Sequence, residues 1–454
     1  MLLNIIIGLI GLGFVVFIHE LGHFIAARLA GIEVESFSIG WGKKLTSFER
    51  NGVEYRISML PIGGYCKMKG EDAMREAMQN DAERIEPEPG SFYAASPVKR
   101  IGVAFSGPFF NIVFSILLMS VVWMIGFTIQ TYENRIILMS DYNLNEEDVF
   151  TPAEEAGLQT GDYIVEIDGN DTETYRDIRE IVAVHPGDAL DFTVLRNGET
   201  LNYTLTPELN PQTGAGMIGV YAWIPPVIAD VQEERAAAIA GLEEGDRIVS
   251  ANGRDIPHAI ALEEVIRNRP DVLSLEILRN GEVRDAELLL SYNEDGLPDL
   301  GIQFDALETH TPRVNPIEAV GKGFTETFDT LFLVIKSLGL LFQGVDLGSA
   351  VQGPIRITYF LGEVTTQSLG LGIGQGITAF LSFIALLSTA LGFMNLLPIP
   401  VLDGGLILLF IIELVKGSQI KPKHLYRYQF IGVILVFGLL IFAIVGDIAF
   451  LFQQ

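Results

Sequence analysis

His19, Glu20 and His23 form an H-E-x-x-H pattern inside an apolar run from Leu2 to Leu29. A run of that length can cross a bilayer, which needs about 20 residues. Ionisable groups at that depth cost on the order of a few kcal/mol each unless paired or wetted, so they mark function by default. On a helix, positions i and i+4 share a face. Both imidazoles can therefore reach one ion, zinc being the metal this spacing suits, with Glu20 beside the water held there. A second acid, Asp403, lies in another apolar segment, Ile373 to Val415. That segment is interrupted by Asn395, Pro398, Pro400 and Asp403-Gly404-Gly405. Irregular backbone at membrane depth is tolerated only where protein or water satisfies its polar groups.

The elements that must position these residues are apolar spans. The sequence predicts four: Leu2–Leu29, Ile101–Ile129, Ile373–Val415 and Phe430–Phe452. Between the first two lies a loop rich in Lys and Arg, from Arg28 to Arg100. Basic loops face the cytoplasm, which puts the N-terminus outside and sends the first and third spans downward together. His19, His23 and Asp403 then fall in the cytoplasmic half. Their depths differ by several Å on a straight-helix count of about 1.5 Å per residue. Pro398, Pro400 and the glycine pair can absorb the difference. Glu326, Asp329 and Lys336 interrupt Thr325–Gln343, which reads as an amphipathic helix outside the membrane. Gly344–Leu371 reads as a loop. Phe48–Met68 alternates through Val53, Tyr55 and Ile57 and carries Pro61-Ile62-Gly63-Gly64, a β-hairpin signal. In the second span Gly107 reads as a packing residue, and Asn111 as either packing or site lining. The N-terminal run lacks the basic leader and short apolar core of a cleavable signal peptide.

The chain has 454 residues, 49% hydrophobic, with a mean hydropathy of +0.35 and a net charge of −27. Residues 131–320 hold 38 acidic and 12 basic side chains and so carry −26 of that charge. A long acidic block is a soluble region and excludes a nucleic-acid footprint. One cysteine, Cys66, excludes an intrachain disulfide and a cysteine-based zinc site.

The acidic region repeats itself. Ala156-Gly157-Leu158-Gln159-Thr160-Gly161-Asp162 recurs as Ala240-Gly241-Leu242-Glu243-Glu244-Gly245-Asp246, and Leu195-Arg196-Asn197-Gly198-Glu199 as Leu278-Arg279-Asn280-Gly281-Glu282. Each copy has alternating strands, Asp-Gly or Asn-Gly turns and one helical piece, Thr174–Val184 or Ala259–Asn268. The pair resembles two PDZ domains of the circularly permuted bacterial kind, which bind extended peptides by strand addition. The fold class is thus a multi-pass α-helical membrane protein with four transmembrane segments and two inserted β-rich PDZ domains. Its parts are 1–130 (two spans and the hairpin loop), 131–212 and 213–310 (the two repeats), 311–372 (amphipathic helix and loop) and 373–454 (two spans).

Three signatures coincide: HELGH in the first span, NLLPIPVLDGG at 395–405, and repeats between spans. Together they resemble the site-2 protease family of intramembrane zinc metalloproteases across essentially the whole chain. The resemblance implies that His19, His23 and Asp403 hold one zinc and that Glu20 is the catalytic base. It implies substrate contact at Asn395, Pro398, Pro400, Gly63, Gly64 and Tyr65, with Asn111 in the second-span motif. It implies single-pass membrane substrates already trimmed outside, such as an anti-sigma factor, and remnant signal peptides. The expected location is the bacterial inner membrane, with the PDZ pair in the periplasm. Two rivals remain at this stage. One is a non-catalytic PDZ membrane adaptor. The other is an ion transporter, which a single broken span fits poorly.

Overall fold

The computed structural model describes residues 2–80, 82–142, 151–210, 214–292, 298, 300–340 and 353–452. The described residues fall into two compact units. One draws on Met1–Phe127, Thr311–Gly339 and Leu347–Gln454; the other on Thr128–His310 and Leu340–Asp346.

The helices in chain order are α1 (Leu2–Ala30), α2 (Glu71–Gln79), α3 (Pro97–Ile125), α4 (Pro152–Glu155), α5 (Tyr175–Ala183), α6 (Ala236–Ile239), α7 (Ala259–Arg267), α8 (Pro316–Leu340), α9 (Pro354–Leu371), α10 (Ile373–Leu396), α11 (Asp403–Lys416) and α12 (Pro422–Phe452). Among the described residues, four helices are long and apolar enough to cross a membrane: α1, α3, α10 and α12. The third hydrophobic segment is two helices, α10 and α11, separated at Leu397–Leu402 as its prolines require. The second span ends at Ile125, not Ile129, because Gly126 caps α3 and Phe127–Thr131 is a strand. The fourth helix starts at Pro422, eight residues before the apolar run, since Pro is tolerated in a first turn.

Two expectations are corrected. Residues 354–371 are helix rather than loop. Their glycines and threonines hide the apolar period but allow backbone contact. A Cβ on Gly8 would strike Thr358 backbone, and one on Gly362 would strike Asn4 backbone. Such small-residue seams are how membrane helices pack. The amphipathic helix begins at Pro316, nine residues earlier than expected; residues 341–352 lie outside the described part. On it, Gly323 and Thr327 face α3. Thr327 meets the Ser115 hydroxyl at 3.3 Å, and a Cβ on Gly323 would lie 2.6 Å from Ser120 Oγ.

The hairpin is larger than its sequence signal. Val34–Arg50 (β1) and Val53–Met68 (β2) both fold back on themselves. Phe37 pairs with Cys66 on one side and Tyr55 on the other. By segments the order is 64–68, 34–39, 53–57, 44–50, which leaves Gly64–Met68 as an edge. Asn51 and Gly52, at φ 52° and 75°, make the turn between β1 and β2.

The second unit holds two copies of one topology. The sheet orders are Asn170–Asp171, Tyr163–Ile167, Leu190–Arg196, Glu199–Leu205, and Arg254–Asp255, Arg247–Ala251, Val272–Arg279, Glu282–Leu289. The repeat extends to side chains. Arg196 forks onto buried Asp162 with two 2.7 Å bonds, and Arg279 onto buried Asp246 with two of 2.6 Å. The first copy reaches past residue 212. Ile136–Leu138 pairs with Val220–Ala222, and Ile218 and Val220 join its core. That pairing carries the strands of the first copy to Ala222, ten residues past the expected limit. In the second copy, buried His258 caps α7 by accepting from Ala261 N–H at 3.2 Å. Burial and the nearby Arg135 push its pKa down to about 4, which keeps the cap neutral.

One buried ion pair ties the helix that begins with Asp403 to α3. Arg100 Nη2 lies 2.5 Å from Glu413 Oε2, with both side chains under one-tenth exposed, and Glu413 Oε1 accepts from Ile420 N–H. Removing one partner of such a pair strands the other charge, at a cost of about 3–5 kcal/mol. Arg100→Ala should therefore lower unfolding stability in detergent by that amount, while the double variant Arg100→Leu/Glu413→Leu should recover most of it. Equal destabilisation of single and double variants would contradict the pair's role.

Candidate active site

Neither His19 nor His23 can sit in an apolar helix without partners, and α3 and α11 supply them. His19 Nε2 and His23 Nε2 are 3.2 Å apart, on rings whose planes cross at 82°. Asp403 Oδ2 lies 3.1 Å from the first nitrogen and 3.4 Å from the second. Both histidines are buried, at 7% and 8% exposure. Asp403 is the first residue of α11, where free N–H groups favour a carboxylate. It gets there through the break. Leu402 N–H bonds Ile399 O, and Val401 adopts φ 82°, a conformation β-branched residues rarely take. Gly404 and Gly405 are required: a Cβ on either would overlap the carbonyls of Leu396 or Ile399.

The donor set fits a zinc ion. Ligands about 2.0–2.1 Å from zinc at tetrahedral angles stand roughly 3.3 Å from one another, and these three atoms are 3.1–3.4 Å apart. His23 Nδ1–H donates to Val103 O at 2.8 Å, so its Nε2 presents a lone pair to the common point. Asp403 Oδ2 is buried without a hydrogen-bond partner. Among the described residues, no other group of three His, Cys, Asp or Glu converges in this way.

Glu20 lies beside these atoms, at the wall of a cavity of about 1390 Å³. Its carboxylate accepts from Cys66 N–H on the edge strand. Gly64, Tyr65 and Asn395 line the same cavity. A Cβ on Gly64 would lie 2.8 Å from the Ser38 backbone oxygen and 3.2 Å from Glu20 Cγ, so glycine lets the strand run this close. Gly63, at φ 91°, packs under Trp41, whose Nε1–H donates to Gly64 O at 3.0 Å. The Gly64 oxygen and Cys66 N–H thus point away from β1, as alternate groups on an edge do. Burial and Glu20 hold the Cys66 thiol well above its ordinary pKa, which suits a packed side chain and not a nucleophile.

Other expected site residues sit elsewhere. Pro398 is exposed and Pro400 half-buried, and neither lines the cavity. They shape the break, and Gly432 of α12 packs on the Pro400 carbonyl. Asn111 is fully buried and faces His19 Nδ1 at 3.3 Å, so it stands behind a metal-ligand candidate and not in the cavity. Gly107 has a larger part than packing: a Cβ there would land on His23 Nε2 and 2.8 Å from His19 Cε1. The i, i+4 spacing of Gly107 and Asn111 matches that of the histidines, which is the signal that could have paired the two helices.

The model of peptidase family M50 matches residues 7–439. A Treponema pallidum protein bearing a zinc metalloprotease name is 39% identical over 453 residues, covering 100% of both chains. The regulator of sigma-E protease RseP of Escherichia coli is 30% identical over 468 residues, covering 96% of each. A solved PDZ domain of the SdrC-like protein of Listeria innocua is 20% identical, covering 18% of this chain and 92% of that one, with a TM-score of 0.17. With the family match spanning nearly the whole chain and its polar residues gathered at one buried point, the protein belongs to peptidase family M50, the site-2 protease family of metallopeptidases.

Proposed function

We propose that this chain is a zinc-dependent endopeptidase that hydrolyses peptide bonds within a bilayer. The observation carrying the reading is the meeting of His19 Nε2, His23 Nε2 and Asp403 Oδ2 within 3.4 Å, on the wall of a cavity among apolar helices. In this reading those three residues hold one zinc per chain. Zinc, when bound, supplies a Lewis acid that acidifies water and polarises the scissile carbonyl.

The chain's own residues do the rest. Glu20 takes a proton from the attacking water and returns it to the leaving amine. A helical substrate hides its carbonyls and must unwind locally. The Gly63-Gly64-Tyr65 edge can receive the unwound piece as an added strand, with Cys66 alongside it. Asn395 donates to the substrate backbone. Pro398 and Pro400 keep the third span broken so that Asp403 and Asn395 both face the cavity.

The name regulator of sigma-E protease, carried by two of the relatives, supports reading this activity as part of sigma-E regulation. The substrate reading is accordingly a pre-trimmed single-pass membrane protein such as an anti-sigma factor, with remnant signal peptides as a second class. The basic loop between α1 and α3 supports a cytoplasmic hairpin, with both repeats in the periplasm of a bacterial inner membrane. Those repeats are read as PDZ domains that take peptide termini.

The test is zinc content measured together with cleavage of a single-span reporter carrying a helix-breaking pair in its span. Wild type should hold one zinc and cut. His19→Ala and Asp403→Ala should lose both. Zinc-loaded wild type that binds peptide termini but cuts no reporter would instead favour the adaptor.

A further inference from the structure

We propose that Asn111 is a positioning residue that fixes the tautomer of His19; this deepens the zinc-peptidase reading and rests on it. The observation is a stripe on α3. Val103, Gly107 and Asn111 lie on successive turns, and all three face the histidine pair. Val103 O takes the Nδ1 proton of His23 at 2.8 Å. Gly107 leaves room for both rings. Asn111 meets Nδ1 of His19 at 3.3 Å through its side-chain amide.

A histidine that offers Nε2 to a cation must carry its proton on Nδ1, and that proton needs an acceptor. For His23 the acceptor is a helix carbonyl. For His19 the facing group is the Asn111 amide. Its nitrogen is the near end, while its oxygen is buried and without a partner. A half-turn about the Cβ–Cγ bond exchanges the two ends and gives Nδ1–H its acceptor. The rest of Asn111 is anchored. It is 0% exposed, its backbone oxygen accepts from Ser388 Oγ at 2.8 Å, and its Cβ is 3.3 Å from a Cβ placed on Gly392. The residue can turn its amide but cannot leave the ring.

A purely structural Asn111 and a positioning Asn111 predict opposite orders for two variants. Packing alone tolerates Asn111→Leu, which is apolar and of similar size, and resists Asn111→Asp, which buries an acid. Positioning needs an acceptor, which Asp supplies and Leu lacks. The full-length protein in detergent micelles is titrated with zinc against a chelator, and cobalt(II) is substituted to record the visible spectrum. Asn111→Asp should keep zinc affinity within about tenfold of wild type. Asn111→Leu should lose about 10–100-fold, the usual loss when such a partner is removed, with an altered cobalt spectrum and an unchanged elution profile. Asn111→Ala replaces leucine if the latter does not fold. Wild-type zinc affinity and an unchanged cobalt spectrum in the leucine or alanine variant overturn the proposal. Wild type that binds no zinc overturns the underlying peptidase reading instead, so the two failures are separable.

Discussion

Glu20→Gln should come out of the membrane folded and with the zinc content of wild type, yet cut a single-span reporter at least about 100-fold more slowly. Positioned acid–base groups contribute about 10²–10⁴-fold, and among the described residues no other carboxylate is placed to substitute. Asp403 already meets both imidazole nitrogens at 3.1 and 3.4 Å. Glu71 also lines the cavity, but the groups around its carboxylate are Met68 N–H, Lys67, Glu35 and Asp72, not the histidine pair or Asp403 that Glu20 faces. Glutamine keeps the shape of Glu20 and still accepts from Cys66 N–H through its oxygen. The edge strand therefore stays in place, and what is lost is the ability to take a proton. Metal analysis and reporter cleavage on one preparation read both sides. Reporter cleavage within a few-fold of wild type would remove Glu20 from the base role.

The sequence exposed those residues that are costly where they stand. Three ionisable groups in one apolar run and an acid beside two prolines in another can be found without a structure, because lipid tolerates them only for a reason. Residues that serve the site by being small or by lending backbone could not be found that way. Gly107 differs in sequence from a helix-packing glycine only by its i, i+4 spacing to Asn111, and the Val103 carbonyl has no sequence signal at all. The helix at Pro354–Leu371 escaped for a related reason. Gly362 and Thr358 dilute its apolar pattern, although they make its backbone contact with α1 possible. The hairpin was visible only from residue 48, because Ser36-Phe37-Ser38-Ile39 alternates over four residues only, too short a run to announce a strand paired on both sides. Arg100 and Glu413, 313 residues apart, had no visible reason to meet.

Gly107→Ala should markedly weaken zinc binding, and Gly102→Ala on the same helix should not. The added methyl at 107 overlaps His23 Nε2 and lies 2.8 Å from His19 Cε1. Neither ring can yield cheaply. His23 is held through Nδ1 by Val103 O, and His19 has Asn111 behind it. Nor can α3 retreat from α1 without opening the seam where the two backbones touch: a Cβ on Gly22 would lie 2.5 Å from Ser106 O. Forcing a methyl into such a site costs about 1–3 kcal/mol. If that strain falls on the bound state, zinc weakens by roughly 5–150-fold, since 1.4 kcal/mol is tenfold, and reporter cleavage falls at least as far. At Gly102 a Cβ meets nothing within 4 Å, so alanine there should leave zinc affinity alone and support the helix slightly. Chelator competition on both variants decides the matter. Equal zinc affinity in the two would show that α3 does not form the back wall of the metal site.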